Sequence, residues 1–342
     1  MITRNKPEWA EKPEWNKKPK WAEEFHKRFT QSARYLPGGR SFSMSGEREN
    51  IMRLAVLESA WMMGEITLLD VAAPDGQAID IGNSSLHTGR VDGGRFRKHM
   101  TVNGTEFTLS DTDSSASITW AEMSALASIG QQGLFEESME GFFAQAYALD
   151  MLRIGFNGKA IAETTDPEAN KKGEDVNIGW HALASEFSGG QQVISTPLTI
   201  GESGDWKSID ALANHLITEL IAKPYREDPR LVVLVGAELA ANQRLKLFNA
   251  ADRPADVNAA QMATSSVAGR FAFIPPFMPG KRLVVTTLKN LQIYTQENTR
   301  YFRADFDEDR KEYTHAYLRN EGYALGNPAL YAAIDESAVS FI

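Results

Sequence analysis

Residues capable of acid, base or metal chemistry are present in this sequence, but their spacing matches no known catalytic motif. The six histidines are scattered and never stand at i and i+4, so the helical zinc-binding pair of metalloproteases is absent. Asp305, Asp307 and Asp309 alternate like the start of a calcium loop, but Arg310 and Ala316 stand where that loop requires glycine and glutamate. No phosphate-binding glycine loop and no nucleophile elbow occurs. We therefore predict no catalytic residue, no metal ligand and no cofactor.

Several kinds of chemistry are excluded by composition alone. The chain contains no cysteine, which rules out disulfides, thiol nucleophiles and cysteine-ligated zinc or iron–sulfur clusters. Carboxylate pairs such as Glu136 with Glu137, or Asp252 with Asp256, can still be brought next to histidines by folding. An α/β enzyme with a site assembled from such non-local residues therefore remains an alternative. It predicts a compact, small oligomer with a deep pocket.

Length and charge describe the molecule that must carry these residues. At 342 residues the chain exceeds the ~250–300 residues at which a single core stops growing, so we expect two packed regions. The net charge of −9 argues against general binding of nucleic acid through a basic surface. No secretory signal and no membrane-spanning segment is apparent, so we expect synthesis in the cytoplasm and no membrane association.

The N-terminal arm contains a six-residue repeat with tryptophans at Trp9, Trp15 and Trp21, each preceded two residues earlier by proline. Proline at this spacing prevents a continuous helix and favours extended or polyproline geometry. Such geometry would align the three indole rings on one face. Since an exposed indole is costly in water, we predict that they contact a partner surface; a solvated leader is the alternative.

A second projecting element is predicted between Ala78 and Leu109, where the sequence is polar and glycine-rich. Asp92-Gly93-Gly94 marks a turn and Asn103-Gly104 a second one. Two strands of about fifteen residues at ~3.3 Å per residue would reach ~50 Å, beyond the body of a monomer. Apolar content is too low for a buried sheet, so the hairpin needs a neighbouring molecule to lie on. Its candidate contact residues are Arg90, Asp92, Arg95, Arg97 and Lys98.

Hydrophobic periodicity predicts the remaining elements. The expected helices cover 48–64, 133–155 (with Glu136, Glu137 and Glu140 early and Arg153 late, matching the helix dipole), a segment capped by Asp205 and stopped by Pro224, and 237–248. The expected strands are 231–235, 271–274, 282–286, 291–295 and 313–320, before an apolar end at 329–342. Helices and strands are thus mixed along the later two thirds of the chain.

Several short blocks resemble the major capsid proteins of peduovirus (P2-like) tailed phages. They are Arg153-Ile-Gly-Phe-Asn-Gly158, Ala162–Asp166, Asp175–Trp180, Gly204–Leu212, Glu227–Gly236, Pro276-Phe-Met-Pro-Gly280, Leu288–Tyr294 and Asn320–Tyr323. They occur in order over about residues 150–330. The first 45 residues differ from the family pattern, so no cleavage site is transferred to them.

The resemblance implies an α+β, Hong Kong 97-type capsid fold. It would divide the chain into an N-terminal arm (1–47), an N-terminal helix region (48–74), an extended hairpin loop (75–112), a peripheral domain (113–199) with a spine helix (134–154), an axial domain (200–310) and a returning core segment (311–342). It also implies hexamers and pentamers in an icosahedral shell around double-stranded DNA.

The resemblance further implies an internal scaffold that is also a protease and a portal protein at one vertex, and it allows for a decoration protein. Packaged DNA would be enclosed without sequence-specific binding, and the protein would belong to the virion capsid. Lys98 lies in the loop that carries a lysine crosslink in some members of the wider fold, but we predict no crosslink. A phage tail component is a further alternative, since it would also assemble.

Overall fold

The computed structural model of this protein describes residues 34–35, 41–43, 65–80, 88–97, 103–122, 132–250, 266–307 and 309–342. The predicted helix over 48–64 and most of the N-terminal arm lie outside the described residues. The helices are α1 Gln132–Asn157, α2 Trp180–Glu186, α3 Ile209–His215 and α4 Ala237–Ala250. The strands are β1 Arg34–Tyr35, β2 Ser41–Ser43, β3 Thr67–Val71, β4 Asp75–Asp80, β5 Asn103–Thr108, β6 Ser110–Thr119, β7 Val193–Ile194, β8 Leu198–Ile200, β9 Val232–Val235, β10 Ser266–Val267, β11 Arg270–Phe273, β12 Leu283–Thr286, β13 Leu291–Gln296, β14 Tyr301–Asp307, β15 Glu312–Leu325, β16 Ala332–Ile334 and β17 Val339–Phe341.

These elements form two compact units, as the length predicts. The first is drawn from Met1–Val56, Asp113–Tyr147 and Asn298–Arg319, and the second from Leu57–Thr112, Ala148–Glu297 and Asn320–Ile342. The mixture of helices and sheets confirms the α+β class. Within the described ranges, no helix combines the length and hydropathy needed to cross a bilayer. The finer division into arm, loop, peripheral and axial domains stays a prediction.

The core of the second unit lies on a six-stranded sheet of order β10-β11-β9-β12-β16-β7. All four residues of β9 and all four of β12 are buried. Such unbroken apolar strands occur where both faces of a sheet are covered. Leu212 and Leu216, both fully buried, join Val233 and Val285 in this core. The predictions of a strand over 231–235 and of a helix over 237–248 are confirmed.

The helix predicted after Asp205 is present, but the prediction that Asp205 is its N-cap is wrong. The cap is Ser208, whose hydroxyl accepts a backbone hydrogen bond from Ala211 at 3.2 Å. The Asp205 carboxylate instead accepts from the backbone N–H and the hydroxyl of Thr199, at 2.9 and 2.8 Å. Its acceptor oxygen is therefore engaged before the helix begins. The helix widens into a π turn over Leu216–Leu220 and ends before Pro224.

A second sheet segment of this unit is centred on β13. It pairs parallel with β3, from Gln292↔Thr67 to Gln296↔Val71, and antiparallel with the second half of β15. The strand predicted over 313–320 is thus longer than expected, because its continuation to Leu325 finds a partner in β13.

In the first unit, β14 and the first half of β15 form an antiparallel hairpin. Its turn is closed by Asp307, whose Oδ1 accepts the backbone N–H groups of Asp309 and Arg310, each at 3.0 Å. Phe143 and Tyr147 of α1 pack on this hairpin. The Phe143 ring stacks on His315 at 4.3 Å between centroids, and the Tyr147 hydroxyl donates to the His315 carbonyl at 2.7 Å.

The helix predicted over 133–155 is confirmed as α1. Its 26 residues correspond to about 39 Å of helix. The predicted match of charge to the helix dipole is wrong, because the helix begins at Gln132 and ends at Asn157. Its first turn therefore has no acidic residue and its last turn no basic one.

Candidate assembly surfaces and a buried polar cluster

Two paired strands form the base of the predicted hairpin in the described residues. β4 and β5 pair antiparallel over six residues each, and Ile79 pairs with Gly104. The prediction of a turn at Asn103-Gly104 is therefore wrong, since both residues lie within β5. The predicted strands of about fifteen residues are also too long, because residues 88–97 contain no strand.

The base of the hairpin is fixed to its own sheet. Phe107 and Leu109 are buried in one cluster with Tyr294 and Ala324. The rings of Phe107 and Tyr294 meet edge to face at 4.5 Å, an arrangement favoured by the aromatic quadrupole. The expectation that the hairpin holds too little apolar surface to be buried is therefore wrong at its base.

The tip of the hairpin, which we define as residues 88–97, is different. Every residue in it is exposed, including Val91 at 55%. The predicted turn is confirmed at Asp92-Gly93, where Gly93 adopts the left-handed φ of 78° that favours glycine. The structure thus places four predicted contact residues in one exposed run: Arg90, Asp92, Arg95 and Arg97. Lys98, Trp9, Trp15 and Trp21 lie outside the described residues, and contact with a neighbour stays a prediction for all eight.

The end of α1 is locked by a close-packed crossing of backbones. The N–H of Gly179 donates to the carbonyl of Gly158 at 3.1 Å. A Cβ atom on Gly158 would collide with the carbonyl of Asn177, and one on Gly179 with the carbonyl of Gly155. Only glycine allows this approach. The neighbouring Trp180 is buried, and its indole N–H donates to the backbone of Gln292 at 3.0 Å.

A buried polar cluster follows directly after Trp180. His181 Nε2 lies 3.2 Å from Asp335 Oδ2, and His181 Nδ1 lies 3.2 Å from the Tyr331 hydroxyl. Arg282, 4% exposed, donates to Glu336 at 2.8 and 2.7 Å and also to the Phe156 carbonyl at the end of α1. Nothing in the sequence singled out this group, because His181 and Asp335 are 154 residues apart.

Ligand atoms of His181, Asp335 and Glu336 lie within 4.8 Å of one another, which is close enough for a metal site. Arg282 already supplies the positive charge there, because its guanidinium holds Glu336. The cluster therefore fits a structural connection between α1, α2 and the C-terminal segment better than a metal site.

The electrostatics of the cluster favour a neutral histidine. Burial lowers the pKa of His181, although the hydrogen bond to Asp335 acts in the opposite direction. A neutral ring that donates from Nε2 to Asp335 and accepts the Tyr331 hydroxyl at Nδ1 satisfies all three groups. The hydrogen bond from His181 lowers the pKa of Asp335, and burial raises the pKa of Tyr331.

This cluster predicts that the protein loses stability in mild acid. Because the folded-state pKa of His181 lies below its unfolded value of about 6.5, the unfolded chain takes up a proton that the folded chain does not. This contribution to stability is therefore complete above that pH and is lost as the pH falls toward the lowered pKa of the folded state. Asp335 adds a further loss below about pH 4, where its carboxylate protonates in the unfolded chain.

Urea unfolding between about pH 7.5 and about pH 5 measures this decline. His181→Gln should flatten the decline, because the ring that takes up the proton in the unfolded chain is then absent. An undiminished decline in His181→Gln would assign the acid sensitivity to other groups.

Comparison with known proteins identifies the chain. A family model described as "Phage major capsid protein, P2 family" matches residues 20–337. The chain belongs to this family. It is 28% identical to the "Capsid proteins" of Escherichia phage P2 over 179 residues, which cover 48% of this chain and 50% of that relative. It is 22% identical to the "Major capsid protein" of Serratia phage KSP20 over 271 residues, which cover 75% and 77% of the two chains. The first match therefore spans half the length of the P2 relative.

The fold is that of a known capsid chain. A structure titled "Satellite phage P4 procapsid including size determination (Sid) protein" superposes with a TM-score of 0.74 at 21% identity, over 94% of this chain and 98% of that one. The expected Hong Kong 97-type fold is confirmed. In this capsid-family chain, two of the blocks that carried the resemblance, 153–158 and 175–180, meet at the glycine crossing that ends α1.

Proposed function

We propose that this chain is the major capsid protein of a tailed phage. Copies of it would assemble as hexamers and pentamers into an icosahedral shell that encloses double-stranded DNA. The observation that carries this proposal is the family match over residues 20–337. The fold shared with a procapsid chain supports it.

The physical properties of the chain agree with a structural role. A hairpin tip that is exposed along its whole length gains stability by lying on another molecule, and a contact repeated around a ring can be weak individually. The net charge of −9 suits an inner wall that holds DNA without binding it tightly, because few phosphate contacts would form. In this proposal the chain is not an enzyme.

The proposal extends to several partners. An internal scaffold that is also a protease and a portal protein at one vertex would act with the shell, which could also bind a decoration protein. The tryptophans Trp9, Trp15 and Trp21 would contact an adjoining copy. Assembly would take place in the host cytoplasm, and the protein would end in the virion capsid.

Negative-stain electron microscopy of the full-length protein, expressed together with its phage's assembly genes, tests the proposal. Closed shells of uniform size are the expected result. Tubes or open rings would favour a tail component. Small compact oligomers as the sole product would favour the α/β enzyme and contradict the proposal.

Assembly should also protect the hairpin tip from proteolysis. In free subunits the exposed Arg90, Arg95 and Arg97 should be cleaved rapidly by trypsin. In shells the same bonds should be cleaved several-fold more slowly, because a neighbour covers them. Mass spectrometry of timed digests measures both rates. Equal rates in subunits and shells would contradict burial of the tip during assembly.

A further inference from the structure

The hairpin tip is one of two unusual surface segments in this chain. Residues 88–97 and 159–169 are the two longest runs of consecutive exposed residues in the part that the structure describes. We call the second run the acidic loop. Both belong to the same unit, and both carry exposed apolar side chains: Val91 and Phe96 in the tip, and Ile161 in the loop.

The two segments carry opposite charge. The tip has three arginines against Asp92, a net charge of +2. The acidic loop has Glu163, Asp166 and Glu168 against Lys159, a net charge of −2. Among the described residues, no ion pair engages Arg90, Arg95 or Arg97, and none engages Glu163 or Glu168. Both sets of charges are therefore available to a partner.

The acidic loop is ordered although it is fully exposed. The N–H groups of Lys159 and Ala160 donate to the Glu174 carbonyl at 2.8 and 3.1 Å. The Asp175 carboxylate accepts the N–H of Asp166 at 2.7 Å, and Asp166 itself accepts the N–H groups of the two residues at 168 and 169. Since the backbone is already fixed by these bonds, a partner that binds this loop spends little free energy on ordering it.

From these observations we infer that the hairpin tip of one copy binds the acidic loop of an adjacent copy. Arg95 and Arg97 face Glu163 and Glu168 across this contact, and Val91 and Phe96 cover Ile161. The inference rests on the proposed function, which supplies the adjacent copy, and specifies the surface that receives the tip. Charge pairs of this kind set register and partner choice more than affinity.

Cysteine crosslinking tests the contact directly, because the natural chain contains no cysteine. Copies carrying only Arg95→Cys are co-expressed with differently tagged copies carrying only Glu163→Cys, and the shells are treated with a short bismaleimide. A crosslinked dimer containing both tags is expected. Since each chain has one thiol, this product can form only between copies. The matched control pairs Arg95→Cys with Glu202→Cys, an exposed position outside both segments, and should yield no mixed dimer.

Charge reversal gives a second test that does not depend on thiol geometry. Arg95→Glu/Arg97→Glu and Glu163→Lys/Glu168→Lys should each lower the yield of shells about tenfold, and combining all four changes should restore most of it. The control Glu202→Lys/Glu219→Lys makes the same charge change at exposed positions elsewhere and should leave the yield near that of the natural chain.

The outcomes separate the inference from the proposed function. Normal shells without the mixed crosslink, or four charge changes whose effects merely add, would overturn the inference and leave the proposed function intact. Equal crosslinking of the Glu202→Cys control would also overturn it, because the contact would not be specific. Failure of the natural chain to form shells would contradict the proposed function itself.

Discussion

Gly158→Ala is expected to destabilise the native fold strongly. A Cβ atom at this position would overlap the backbone carbonyls of Asn177 and Ile154. Backbone atoms held by a helix end cannot move aside as a flexible side chain can, so we expect a loss of about 3 kcal/mol. Gly179→Ala should have a similar effect, because its new methyl group would meet the carbonyl of Gly155. Soluble yield and urea unfolding measure both.

The control for this prediction is Gly94→Ala in the hairpin tip. The nearest atom to a Cβ there is a methyl group of Val91 at 3.9 Å, which is ordinary contact, and the backbone is not left-handed. Its free energy of unfolding should stay within about 0.5 kcal/mol of the natural chain. If Gly158→Ala were equally well tolerated, the close crossing of the two backbones would not exist in solution.

Arg282→Met is expected to be the most damaging single change in the buried polar cluster. It removes the partner of Glu336 and leaves the carbonyl of Phe156 without this donor. Breaking a largely buried ion pair by removing one member costs about 3 kcal/mol, because the remaining charge is left uncompensated. Glu336 is about one third exposed and can recover part of its hydration. The loss of stability therefore lies at the lower end of the roughly 3–5 kcal/mol expected for a broken buried ion pair. Chemical denaturation provides the measurement.

A double-mutant cycle distinguishes the ion pair from simple loss of packing. Glu336→Gln should destabilise the protein on its own, since Arg282 then remains buried beside a neutral acceptor. Arg282→Met combined with Glu336→Gln should cost less than the two single changes added together. Strict additivity would show that the two side chains stabilise the fold independently.

The elements predicted correctly from the sequence are those whose signals are local. The 3.6-residue periodicity of α1, the run of apolar residues in β9 and the Asp92-Gly93 turn each depend on neighbours within one segment. The errors arose where a distant partner decides the outcome. Asn103-Gly104 has the composition of a turn, but pairing with β4 holds it in a strand. The carboxylate of Asp205 is bound by Thr199, so Ser208 takes the cap.

The candidate sites show the same division. The exposed arginines of the tip were predictable, because a glycine-rich turn flanked by charged residues indicates a solvent-facing loop. The cluster of His181, Arg282, Tyr331, Asp335 and Glu336 was not, because only the completed fold brings together residues from three distant parts of the chain. The family was identified from short ordered blocks, some of which prove to be sites of close backbone contact rather than of chemistry.

The parallel pairing of β3 with β13 has a consequence for biosynthesis. Thr67 leaves the ribosome 225 residues before its partner Gln292. At roughly 10 residues per second, β3 waits on the order of 20 s before that partner is translated. During this time its hydrogen-bonding edge is available to other nascent chains. The pairing of β3 with β13 can therefore form only after most of the polypeptide has been made. The yield of folded protein in cells should accordingly depend on the supply of chaperones.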